Sequence, residues 1–119
     1  MATMNDLLLM NAAVDADGLQ TPAFPMGSQN NALVVTLTVL SGTTAASNAV
    51  RYQFSNDGVN WSTAVAFGTT FDSKTAPQYI SGSVIWVSPT VPQRYVRILV
   101  KGPAAGYVIV NLSAYTCQV

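Results

Sequence analysis

Five aspartates, three arginines, two lysines and one cysteine are the groups this 119-residue chain offers for acid–base, metal or nucleophilic chemistry, and it has neither histidine nor glutamate. Without those two residue types the usual general base, the common zinc ligand sets and a Ser-His-Asp arrangement cannot be assembled. Asp15 and Asp17 stand two apart before Gly18, as at the start of a calcium loop, but the later oxygen ligands and the closing bidentate Glu do not follow. A solvated turn is the expectation there. Cys117 has no second cysteine to pair with and no cationic neighbour to activate it, so it reads as a small buried hydrophobe. Neither an enzyme nor a bound cofactor or metal is expected.

A second group of residues has both type and spacing. Val50, Tyr52 and Phe54 alternate with Arg51, Gln53 and Ser55, the period of a half-buried strand. The run stops at Asn56-Asp57-Gly58, where Gly accepts positive φ and Asn or Asp can bond back to the main chain. Trp61 follows, and residues 62–67 are expected to pair back as the next strand. The Ser55, Asp57, Gly58 and Trp61 pattern is similar to the Ser-x-Asp-x-Gly-x-Thr-Trp hairpins of sialidases and to hairpins of discoidin-type sandwiches. In those families the Asp caps the turn and the Trp packs beneath. The competing reading makes Trp61 a platform for a sugar ring, with Asn56, Asp57 or Asn60 contacting hydroxyls.

Tyr52, Trp86, Tyr95, Tyr107 and Tyr115 interleave with basic residues, which invites a single-stranded nucleic-acid surface. The formal net charge is zero, with five cations against five anions, so nothing steers a polyanion toward the chain, and nucleic acid is not an expected partner. Leu7, Leu8, Leu9 and Met10 form an apolar run too short to cross a bilayer, and no Lys or Arg precedes it as a secretory signal requires. No membrane association is expected, and synthesis in the host cytoplasm is.

The elements that carry these residues are strands. Residues 33–40 place Leu33, Val35, Leu37 and Val39 on one side; residues 94–101 do the same with Val96, Ile98 and Val100; residues 107–117 repeat it with Val108, Val110, Leu112 and Ala114. Residues 78–88 read as a long strand with a bulge or bend at Gly82, followed by a stiff connector at Pro89-Thr90-Val91-Pro92. Residues 71–77 read as a loop. Six or seven strands, short turns and no amphipathic helix predict an all-β fold, an antiparallel β-sandwich or jelly roll.

Residues 1–31 break the pattern. Leu7 to Met10 fit a short strand or a helical turn, Asp15-Ala16-Asp17-Gly18 a turn, and Pro22 and Pro25 push their neighbours toward extended backbone. The chain therefore divides into an extended N-terminal arm, 1–31, and a sandwich body, 32–119, expected to fold by itself from about Asn30. Leu7, Leu8, Leu9, Met10, Phe24 and Met26 are the candidate contact residues of the arm, to be covered by the body, a second copy or another protein. Half of all residues are hydrophobic (50%) and only 8% are charged, so the surface is covered by Ser, Thr, Asn and Gln or by another protein.

Taken whole, the chain resembles the small all-β virion proteins of tailed bacteriophages, above all the head decoration (cement) proteins. The residues that carry this are the Pro/Gly-containing arm, the Val/Thr-rich strands with the 55–61 hairpin, the closing Arg94-Tyr95-Val96-Arg97-Ile98 strand and the near absence of charge. The resemblance implies a structural protein on the outer surface of a capsid. It implies partnership with the major capsid protein and with itself, as a homo-oligomer, commonly a trimer. A carbohydrate- or receptor-binding module, on a particle or its tail, is the alternative.

Overall fold

A computed structural model of the chain describes residues 6–27, 30–85 and 94–119. Trp86, the connector at 89–92 and the far end of the strand expected over 78–88 lie outside the described residues. Nine strands are described: β1 (Asp6–Val14), β2 (Leu19–Gln20), β3 (Phe24–Pro25), β4 (Ala32–Ser41), β5 (Val50–Ser55), β6 (Val65–Ala66), β7 (Gln78–Ile85), β8 (Tyr95–Val100) and β9 (Val108–Cys117). They form two antiparallel sheets, one ordered β1-β9-β4-β7 and the other β2-β8-β5-β6 with β3 also on β8. The chain is all-β, and its two sheets share one core, an arrangement compatible with a β-sandwich.

The alternation read from the sequence builds that core. Leu33, Val35, Leu37 and Val39 of β4 and Val108, Val110, Leu112 and Ala114 of β9 are buried from one sheet. Val50 and Tyr52 of β5 and Val96, Ile98 and Val100 of β8 meet them from the other. Cross-strand register keeps each set on one side: Leu37 sits opposite Leu112 and Ile80, Val35 opposite Ala114 and Gly82.

Gly82 differs from the expectation of a bulge. The β4–β7 register runs from Ala32 with Ile85 to Val39 with Gln78 without a shift. The absent side chain serves packing instead: a Cβ on Gly82 would lie 2.7 Å from Phe71 Cε2. Phe71, in the loop between β6 and β7, is buried against this bare stretch of strand and meets Phe67 edge-on, their centroids 5.6 Å apart. Thr44 fastens the loop by donating its hydroxyl to the Phe71 carbonyl at 2.6 Å and accepting the Lys74 N–H at 2.8 Å.

Residues 6–26, within the segment expected as an arm, contribute strands to both sheets. β1 is the edge strand beside β9, while β2 and β3 line the edge beside β8. Between those two short strands Thr21 continues the ladder: its N–H donates to the Ile98 carbonyl, and its hydroxyl accepts the Ile98 N–H at 3.0 Å. Val14 and Met26 are core residues. The prolines are tolerated because they fall on a sheet edge, where a missing N–H costs no central ladder bond.

Candidate functional site

The hairpin after β5 closes on its own polar groups. Ser55 Oγ accepts the N–H groups of Asp57 (3.2 Å) and Gly58 (2.9 Å) and donates to Asp57 Oδ1 (2.9 Å). Asp57 Oδ1 also accepts the N–H of Val59 and of Asn60, both at 2.8 Å, and Oδ2 accepts Asn60 Nδ2 at 2.8 Å. The Asn60 N–H first, then the Val59 N–H, then the Asn60 and Ser55 side chains hold the Asp57 carboxyl well below the usual carboxylate range. Gly58 takes φ 76°, the left-handed region that the turn requires.

Trp61 is half-buried and lies outside any strand. The return strand is shorter than expected, β6 covering Val65–Ala66 alone. Ser62 faces Phe54 just before it: its main-chain N–H donates to the Phe54 carbonyl at 2.8 Å, while its Oγ accepts the Phe54 N–H at 2.9 Å where a ladder would use a main-chain carbonyl. The Arg97 guanidinium sits 4.2 Å above the Trp61 ring, and its Nε donates to Gln53 Oε1 at 2.8 Å. Asn56, Asp57, Asn60, Trp61 and Ser62 line a shallow open hollow. Ser55, Asp57 and Gly58 are joined by these hydrogen bonds, and Trp61 shares the hollow with Asp57 and stacks on Arg97.

The six apolar residues of the N-terminal segment are not brought together. Met26 is in the core, Leu8, Leu9 and Phe24 pack against it part-buried, and Leu7 and Met10 are exposed. β1 departs from regular pairing between Leu7 and Leu9 and again between Leu9 and Ala12, with Asn11 at φ 48° and its N–H donated to Asn111 Oδ1 at 2.7 Å. These irregularities turn Leu7 and Leu9 to different sides of the strand.

A surface whose extent the sequence alone does not define is the outer face of the β1-β9-β4-β7 sheet. Register sets Ser81, Thr36, Ser113 and Leu7 in one row across four strands, with Ser83, Val34 and Tyr115 on one side of it and Tyr79, Thr38 and Asn111 on the other. Asp6, at the start of β1, is the sole Asp, Glu, Lys or Arg in these four strands. The cations gather on the other sheet: Arg51 and Arg97 lie in β5 and β8, with Arg94 and Lys101 flanking β8. The signal for this was in the sequence, as charge-free runs at 32–41, 78–85 and 108–117, but it needs the strand order to become a face.

No family model matches the chain, and no curated protein matches it. Among the described residues no three His, Cys, Asp or Glu side chains stand close enough together to hold a metal ion.

Proposed function

We propose that this chain is a structural protein that works by packing on other protein subunits, as a capsid decoration protein packs on the outside of a virion. The observation that carries the reading is the outer face of the β1-β9-β4-β7 sheet: four strands wide, drawn from strands whose sole Asp, Glu, Lys or Arg is Asp6, and made of hydroxyls, amides and apolar side chains. Interface cores are depleted in charge, because a charge taken out of water without a partner costs several kcal/mol. In this reading Leu7 and Met10 extend the contact at its rim, and the partners are the major capsid protein and other copies of the chain. The test is co-sedimentation of the purified chain with capsids of its source assembled without it. Saturable binding at a fixed ratio to capsid subunits is the expected result. Failure to pellet with capsids would overturn the capsid reading.

The hollow beside Trp61 favours a second reading, a carbohydrate-binding module, since it sets amide and hydroxyl groups beside an aromatic ring. Two features oppose it: both Asp57 oxygens are already engaged, and Arg97 covers one face of the ring. Glycan binding that is lost in a folded Trp61→Ala variant would establish this reading in place of the first.

A further inference from the structure

Each sheet has two edges, and three of the four are blunted in ways that keep sheets from pairing with other chains. β1 carries two register shifts. The β2 and β3 edge is short and holds Pro22 and Pro25. β6 is two residues long. β7 has no such protection: its eight residues keep unbroken register with β4 and contain neither proline nor charge. Among the described residues no strand lies beyond it. Tyr79 and Ile85, near its two ends, are 72% and 55% exposed.

The sequence of β7 is close to symmetric about its glycine. We propose that β7 pairs antiparallel with the β7 of a second copy about a two-fold axis through Gly82, joining two four-stranded sheets into one. In that register Ser81 faces the partner subunit's Ser83, Ile80 faces the partner subunit's Val84, and Tyr79 faces the partner subunit's Ile85. Hydroxyl meets hydroxyl, aliphatic meets aliphatic, and aromatic meets β-branched, the pairings that stabilise adjacent strands. A two-fold axis also sets each residue near it close to its own copy, so any charge there would repel itself, and β7 has none. The pairing keeps inner face with inner face and outer with outer, so the uncharged surface continues across the junction. It closes at two copies, and a trimer would use another surface. The inference stands independently of the capsid reading.

Sedimentation equilibrium on the full chain tests it, with a mass approaching twice the 12.6 kDa of one chain expected at high concentration. The double substitution Ser81→Lys with Ser83→Lys places four like charges across the axis on exposed positions, and the mass should fall to that of one chain with the melting curve preserved. Register is tested separately in a Cys117→Ala background. A Ser81→Cys chain mixed with a Ser83→Cys chain should form a disulfide-linked dimer several-fold more than either alone. Should the lysine variant not fold, this crosslinking decides. A single-chain mass for the unaltered protein, a mass that ignores the lysine pair, or equal crosslinking in the unmixed variants would overturn the proposal.

Discussion

At the scale of the residue, Asp57 and Gly58 hold the hairpin for different reasons, and substitutions separate them. Gly58 sits at φ 76° with nothing within 4 Å of where a Cβ would stand, so conformation alone decides the cost of a side chain. Gly58→Val should lose ~1–2 kcal/mol, whereas Gly58→Asn should lose a few tenths, because Asn tolerates the left-handed region. Thermal melts of the two variants measure the gap, and equal melting would contradict the assignment. Asp57 adds a pH dependence. Its folded carboxyl titrates below the unfolded one, so its contribution is fully present above the ordinary carboxylate pKa of ~3.9 and is lost as pH falls from there toward the folded value. Urea midpoints of the native chain and Asp57→Asn should therefore differ most at neutral pH and converge in acid. Divergence on acidification would contradict the hydrogen-bonding account.

At the scale of the element, β4, β5, β8 and β9 were legible because one face of each is buried, and period-two alternation reports that directly. What was not legible depended on contacts distant in sequence. Phe71 read as a loop residue, yet its ring is core, and Gly82 read as a bulge or bend, yet the register passes it without a bulge and its missing side chain makes room for that ring. Each explains the other only once β7 and the 67–77 loop are in place. Gly82→Ala should cost ~1–3 kcal/mol by overpacking against Phe71, and Phe71→Ala ~3–5 kcal/mol by leaving a cavity. Combined with Phe71→Leu, Gly82→Ala should cost less than the two single changes added together, and strict additivity in denaturant melts would contradict the contact. The hairpin residues were legible because their bonds are local. The dispersal of Leu7 to Met26 was not, since bulges in β1 and pairing along β8 decide which of them turn inward. A chain beginning at Asn30 loses β1, β2, β3 and the core residues Val14 and Met26. It should show no cooperative thermal transition by circular dichroism, and a sharp one would restore the division into arm and body.

At the scale of the whole molecule, the notable property is how charge is partitioned. One sheet is built of strands whose sole Asp, Glu, Lys or Arg is Asp6, and the other carries Arg51 and Arg97 with Arg94 and Lys101 at the ends of β8. Composition announced the scarcity of charge, but only the strand order shows that it empties one face. That partition is the physical basis for assigning a contact role to the β1-β9-β4-β7 sheet, and single added charges on the two sheets measure it most directly. Ser113→Lys puts a charge in the middle of the uncharged face, and Gln20→Lys puts one on an exposed position of the opposite sheet. With capsids of the source assembled without the chain, Ser113→Lys should weaken co-sedimentation at least tenfold, about 1.4 kcal/mol, while Gln20→Lys binds as the native chain does. Equal binding by both variants, or a loss confined to Gln20→Lys, would contradict the account.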